Sequence, residues 1–235
     1  MIRGSISLSP VTDAEISSLP PDQTTKALLK FLGIWLPIFR VQYLTRVSSL
    51  LEEDRGMAKK EDRISENLFL YLQAKAKVTN LLFHFQEKKG VDFLIFIEPM
   101  LMSSKPIFMI EAKRLPSSDD GKQYVVGRIG RADGIERFKC EQEGFGLDKS
   151  HCAMVAYIQR GTFSYWFNRI NQWITELIVD NDNYDEFDWE ESDKLIAISS
   201  SAGDVGRYTS SHSRKTLAKL TINHFWLDML VDNPV

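Results

Sequence analysis

The chain has 235 residues, of which 43% are hydrophobic and 11% aromatic, so it can bury a full core and is neither disordered nor fibrous. Its two cysteines, Cys140 and Cys152, have no metal-type spacing, which argues against a zinc cluster and a disulfide scaffold and fits a reducing compartment. The net charge of −3 is uneven: residues 180–193 hold eight acids and no base, leaving 29 bases against 24 acids elsewhere, enough for a basic face on the body of the protein.

Met1–Leu8 lacks the apolar stretch of a signal peptide, and the longest uncharged apolar run, Phe31–Phe39, is too short to span a bilayer and is flanked by Lys30 and Arg40. These features predict a cytoplasmic protein with no membrane segment. Residues 1–23 are polar and carry Pro10, Pro20 and Pro21, as an irregular arm would. From Thr24 to Leu51 the spacing is helical, with Leu28, Leu29, Leu32, Trp35, Leu36 and Phe39 recurring on one side. Pro37 is expected to break or kink this helix near Trp35. The segment either packs on the core or forms an interface with a second copy or a regulatory protein. Glu52–Lys60 is a charged linker. Asp62–Ala76 reads as a helix capped by Asp62 or Ser65, with Ile64, Leu68, Tyr71 and Leu72 on its apolar face. Leu81–Phe85 is a short strand, and Lys88-Lys89-Gly90 turns into the next element.

That element, Val91–Leu115, reads as an antiparallel hairpin of two apolar strands. Asp92 and Glu111 are symmetric about its midpoint, between Leu101 and Met102, and so fall side by side. Side chains alternate along a strand, so Glu111 and Lys113 share a face. Two carboxylates and an ammonium at one end of a buried hairpin are costly unless they pair or bind a metal.

An Asp followed by a strand ending Glu111-Ala112-Lys113 resembles the PD-(D/E)XK nuclease superfamily, with Val91-Asp92 in place of the usual Pro-Asp. Two other matches, Glu87-x-Lys89 and Asp120-x-Lys122, lie in turn-like, solvated segments. Only Glu111-Ala112-Lys113 closes an apolar strand with a carboxylate opposite. The resemblance implies an α/β fold with a restriction endonuclease-like αβββαβ core and a mixed central sheet. It implies Asp92, Glu111 and Lys113 as catalytic residues, and Mg²⁺, with Mn²⁺ as a possible substitute, held by Asp92, Glu111 and the Ala112 carbonyl. In the family the first helix often adds a Glu; Glu66 is the candidate, against the alternative of a solvated helix charge.

Residues 122–143 follow as a broken helix, interrupted by Gly127, Gly130 and Gly134 and firmest at GIERFKCEQ. Its bases Lys122, Arg128, Arg131, Arg137 and Lys139, with Arg114 just before, are expected to contact phosphates; a plain solvated face is the competing reading. Cys152–Gln159 is a strand and Thr162–Ile178 a strongly amphipathic helix whose aromatic stripe reads as core. Beyond the acidic segment, short strands are expected near residues 194–199, 206–210 and 217–222, with Phe225, Trp226 and Leu230 packing a final turn. His212 and Arg214 lie in a polar connection that either binds phosphate or is an ordinary turn. His84, His151 and His224 lack the spacing of a triad or an HExxH site.

The chain thus divides into an N-terminal arm and helical extension (1–55), a nuclease-like core (56–179), and an acidic segment with C-terminal strands packed on it (180–235). The implied activity is metal-dependent hydrolysis of DNA phosphodiester bonds, as in a restriction or phage-defence effector. The alternatives are a non-catalytic nucleic-acid-binding or protein-interaction subunit of the same fold, and an RNase or resolvase.

Overall fold

A computed structural model describes residues 21–77, 81–85, 92–97, 106–117, 122–127, 132–140, 149–180, 188–198 and 204–230. Three helices, α1 (Pro21–Ser48), α2 (Glu52–Ala58) and α3 (Glu61–Ala76), precede strands β1 (Leu81–Phe85), β2 (Phe93–Ile97) and β3 (Phe108–Leu115). A 3-10 turn (Lys122–Tyr124) and α4 (Gly134–Lys139) lead to β4 (His151–Ile158) and α5 (Phe163–Val179). A second 3-10 turn (Glu191–Asp193), β5 (Ile196–Ala197), β6 (Val205–His212) and β7 (Leu220–Asp228) complete the order. The fold is α/β, with one mixed sheet in the order β1-β2-β3-β4-β7-β6-β5.

Strands β1, β2 and β3 run antiparallel in sequence, β3 pairs parallel with β4, and β4 pairs parallel with β7. Parallel strands are buried on both faces, which explains the unbroken apolar run of β4. Alternation along β3 divides the core in two. Phe108, Ile110 and Ala112 face Leu28, Leu32 and Leu36 of α1 and Leu68 and Leu72 of α3. Met109 and Leu115 face Ile135 and Phe138 of α4 and Trp166, Ile170 and Trp173 of α5. The sheet is therefore sandwiched between helices.

Pro37 does not end α1. The buried stripe Leu28, Leu32, Leu36, Phe39, Tyr43 and Val47 continues past it. An interior proline costs about 3 kcal/mol, whereas each fully buried apolar side chain contributes roughly 1.5–3 kcal/mol, so packing outweighs the local penalty. Between Gln23 and Ser48 this helix is long and apolar enough to cross a membrane by length and composition alone, and its stripe is seated on the sheet as a core helix's would be.

The C-terminal strands are longer than expected. Phe225 and Trp226 lie within β7, in the middle of the sheet, and not in a terminal turn. Asn223 and His224 obscure the strand in the sequence because they interrupt its apolar pattern. Both are satisfied: Asn223 donates to the Cys152 carbonyl at 3.2 Å, and His224 lies 2.7 Å from the Tyr124 hydroxyl and 2.8 Å from Ser210 Oγ.

His224 belongs to a buried polar chain. Ser210 Oγ also lies 2.6 Å from His212 Nε2, and His212 Nδ1 lies 2.6 Å from Asp193 Oδ1. Asp193 in turn takes both short contacts of the Lys139 ammonium, at 2.8 Å each. His212 and Lys139 are 0% exposed. Neither can reach a phosphate on the surface, and the expected ligand role of both is replaced by this network. Burying such charges is tolerable only because each is paired. Burial holds both His212 and His224 below the usual histidine range, in His212 against the opposing pull of Asp193, and His224 is depressed the more strongly. For Asp193, burial alone would raise the carboxyl, but His212 and Lys139 outweigh it and hold it low.

A group whose folded-state pKa is depressed contributes stability above its unfolded pKa and loses it as pH falls. Both histidines bind protons in the unfolded chain below about pH 6.5, each at roughly 1.4 kcal/mol per pH unit. The stability measured by urea unfolding should therefore fall as the pH drops from about 6.5 to about 5, with His224, the more strongly depressed of the two, contributing the larger share. A flat profile over that window would mean either that the histidines are protonated in the fold or that the carboxyls of Asp92 and Glu61, raised by burial, take up protons there and offset the loss.

Candidate active site

The β2–β3 ladder pairs Phe93 with Ile110, Leu94 with Met109 and Ile95 with Phe108. One step further along this register places Asp92 opposite Glu111, as the hairpin symmetry predicts. Asp92 turns its carboxylate onto the next peptide, accepting the Ala112 N–H at 2.6 Å. Glu111 is 1% exposed and points to the α4 face of the sheet. Its Oε1 takes Lys113 Nζ at 2.8 Å and Arg137 at 2.9 Å. Its Oε2, also buried, has no hydrogen-bond partner among the described residues. Lys113 reaches Asp133 Oδ1 at 2.8 Å with the same ammonium.

The α3 acid that reaches this cluster is Glu61, at the start of the helix, and not Glu66. Glu61 accepts the Arg114 N–H at 2.5 Å and sits in the field of Lys113. Glu66 is solvent-facing and paired with Arg63 at 2.8 Å. Ile64, Ser65, Leu68, Leu72 and Ala76 are the α3 residues turned to the interior, so Glu66 lies off their face, whereas the first turn lies over the end of β3. Acids cluster in first turns for the helix dipole as well, and that ordinary reason hides Glu61 in the sequence.

Helix α4 brings two further groups that spacing alone does not reveal. Asp133 caps it, accepting the Gly134 N–H at 2.9 Å, and so presents its other contact to Lys113. Gly134 has φ of 56°, and a Cβ there would overlap the Tyr124 carbonyl. Glu136 fastens the same end of the helix: its N–H donates to the Val125 carbonyl at 2.8 Å, and its carboxylate accepts the Gly127 N–H at 2.7 Å. Arg137, expected at the nucleic-acid surface, is buried and turned onto Glu111. The remaining expected phosphate contacts are dispersed. Lys122 is partly exposed, 4.0 Å from Glu176. Arg214 donates to the carbonyls of Ala218 and Lys149, a turn-holding role. Arg114 is half-buried beside Glu61, and Arg128 and Arg131 lie outside the described residues.

Charge explains the electrostatics. Burial and the neighbouring Glu111 push the Asp92 carboxyl well above its usual range, against Lys113. Burial likewise raises Glu61. For Lys113, burial would lower the pKa, but Glu111, Asp133, Glu61 and Asp92 together outweigh it and raise it, so the amine stays an ammonium at neutral pH. Among the described residues no three His, Cys, Asp or Glu side chains stand together as a ready-made metal cage; Lys113 and Arg137 stand among the acids instead. The donor set nevertheless fits a hard divalent cation. Carboxylates are its preferred ligands. Four acids (Glu61, Asp92, Glu111 and Asp133) face two bases, and Glu111 Oε2 is a buried oxygen with no hydrogen-bond partner among the described residues.

Comparisons with protein-family models, with curated proteins and with solved structures gave no match.

Gly134→Ala should cost about 2 kcal/mol or more in urea unfolding, because it adds both left-handed strain and a backbone overlap. A loss below about 0.5 kcal/mol would show that α4 is not held as closely to the Tyr124 turn as the geometry requires.

Proposed function

We propose that this chain is a metal-dependent nuclease that hydrolyses phosphodiester bonds, with DNA as the expected substrate and RNA as the alternative polymer. The observation that carries this reading is the meeting of Asp92, Glu111 and Lys113 at the end of β3, joined by Glu61 from the first helix. Helix, three strands, helix, strand is the element order from α3 to β4, which agrees with the αβββαβ order of the PD-(D/E)XK resemblance. The site lies towards the carboxyl end of β3, beside the parallel strand β4, and open α/β sheets bind ligands outside the carboxyl ends of their strands.

Asp92, Glu111 and Glu61 are the residues that would hold Mg²⁺ or Mn²⁺. When bound, such an ion stabilises charge on the scissile phosphate and lowers the pKa of a coordinated water. Lys113 supplies a fixed positive charge. Its raised pKa keeps it protonated, so it orients the attacking water and offsets charge on the phosphate oxygens, and it is not a general base. Asp133 holds that ammonium from the α4 side, which limits the rotamers of a long, flexible side chain. The Asp92 carboxylate is oriented by the Ala112 N–H, so the two metal-facing acids are tied to successive residues of one strand. Preorganisation of this kind is what lets charges act without rearrangement during the reaction.

The purified protein should cleave supercoiled, linear or single-stranded DNA, or RNA, with Mg²⁺ or Mn²⁺ and not with EDTA. Lys113→Ala and Asp92→Asn should each lower cleavage by about a hundredfold or more with the fold retained. Glu61→Gln should also impair it, while Glu66→Gln should leave it unchanged. Undiminished cleavage by both Lys113→Ala and Asp92→Asn would refute the assignment.

A further inference from the structure

Arg137 has a place in the site that nothing in the cleavage chemistry requires. It is 6% exposed, it comes from α4 and not from the strands that carry the acids, and its guanidinium meets Glu111 Oε1 at 2.9 Å. The same oxygen already holds Lys113 at 2.8 Å, while Oε2 has no partner among the described residues. Two cations therefore converge on one oxygen of a carboxylate whose other oxygen has no hydrogen-bond partner among the described residues. The helix that delivers Arg137 is held at both ends. Gly134 is pressed against the Tyr124 turn, and Lys139 is locked into the buried pair with Asp193.

We propose that Arg137 is a built-in counter-ion of the site: it balances Glu111 in the metal-free chain and, by its fixed charge, sets how weakly a divalent cation is held there. The proposal rests on the reading of Glu111 as a metal-facing acid. A buried carboxylate with no compensating charge would be costly, so the fold needs a cation at Glu111 before any metal arrives. Lys113 alone is divided between Glu111 and Asp133, and Arg137 supplies the remainder. A guanidinium is suited to this, since it stays charged when buried. A divalent cation held by Glu111 would be repelled by the same guanidinium, in surroundings that screen poorly. The acids would otherwise bind more tightly. A weaker site exchanges its ion readily and depends on the ion concentration around it.

The test is calorimetric titration of the full chain with Mg²⁺, and separately Mn²⁺, without nucleic acid. Arg137→Met keeps the length and apolar stem but removes the charge, and should bind about tenfold more tightly. Arg137→Gln, which keeps a hydrogen-bond donor, should tighten binding in the same direction and provides a second neutral variant should the first not fold. Arg137→Lys, which keeps the charge, should remain near the parent affinity. Circular dichroism and urea unfolding check that each variant is folded. Equal or weaker binding by both folded neutral variants would overturn the proposal, since Arg137 would then be orienting Glu111 for the metal. If the parent chain and all variants bind neither ion, the metal-dependent reading fails together with it.

Discussion

Glu111 is a carboxylate with almost no access to water, placed on a central strand with two cations on one of its oxygens. Removing such a charge from solvent costs several kcal/mol, and only partners of the right sign at hydrogen-bond distance offset it. The rest of the site follows from that requirement. Lys113 reaches it because the two residues are two apart on one strand. Asp92 lies across the ladder because the hairpin register puts it there. Asp133 and Arg137 arrive from α4, which is why that short helix must be held in place at both ends.

The two halves of the core do different work. On one face, α1 and α3 supply a mainly apolar layer, and the length of α1 past Pro37 reflects how much burial it contributes. On the other face, α4 and α5 pack among polar groups: the site itself, and the chain running from Lys139 through Asp193, His212 and Ser210 to His224 and Tyr124. This buried chain connects α4 to β6 and β7, so the strand pair at the C-terminus helps to set the position of the helix that serves the site. A buried network that is fully satisfied specifies one arrangement more sharply than apolar packing alone.

Legibility in the sequence varied with how local each signal was. The amphipathic helix α5, the strand order from β1 to β4 and the pairing of Asp92 with Glu111 depend on spacing within a few tens of residues, and each could be read. The placement of Lys113 beside Glu111 was readable for the same reason. Glu61 was not, because an acid in the first turn of a helix has an ordinary explanation. Arg137 and Lys139 looked like surface bases because their sequence neighbours are charged; their burial depends on partners at Glu111 and Asp193, which are remote in the chain. Among its polar neighbours His212 reads as a phosphate ligand, whereas its partner, Asp193, sits in an acidic run that reads as solvated.

By itself, the sequence determined the α/β class, the hairpin and its register, and the carboxylate–carboxylate–lysine grouping, because alternation and symmetry along one segment leave little freedom. Only the tertiary structure decided which helix acid joins that group, that α4 turns an aspartate and an arginine into it, and that β7 lies in the centre of the sheet. Those choices depend on which distant charges must neutralise one another once water is gone, and no local pattern in the chain records that balance.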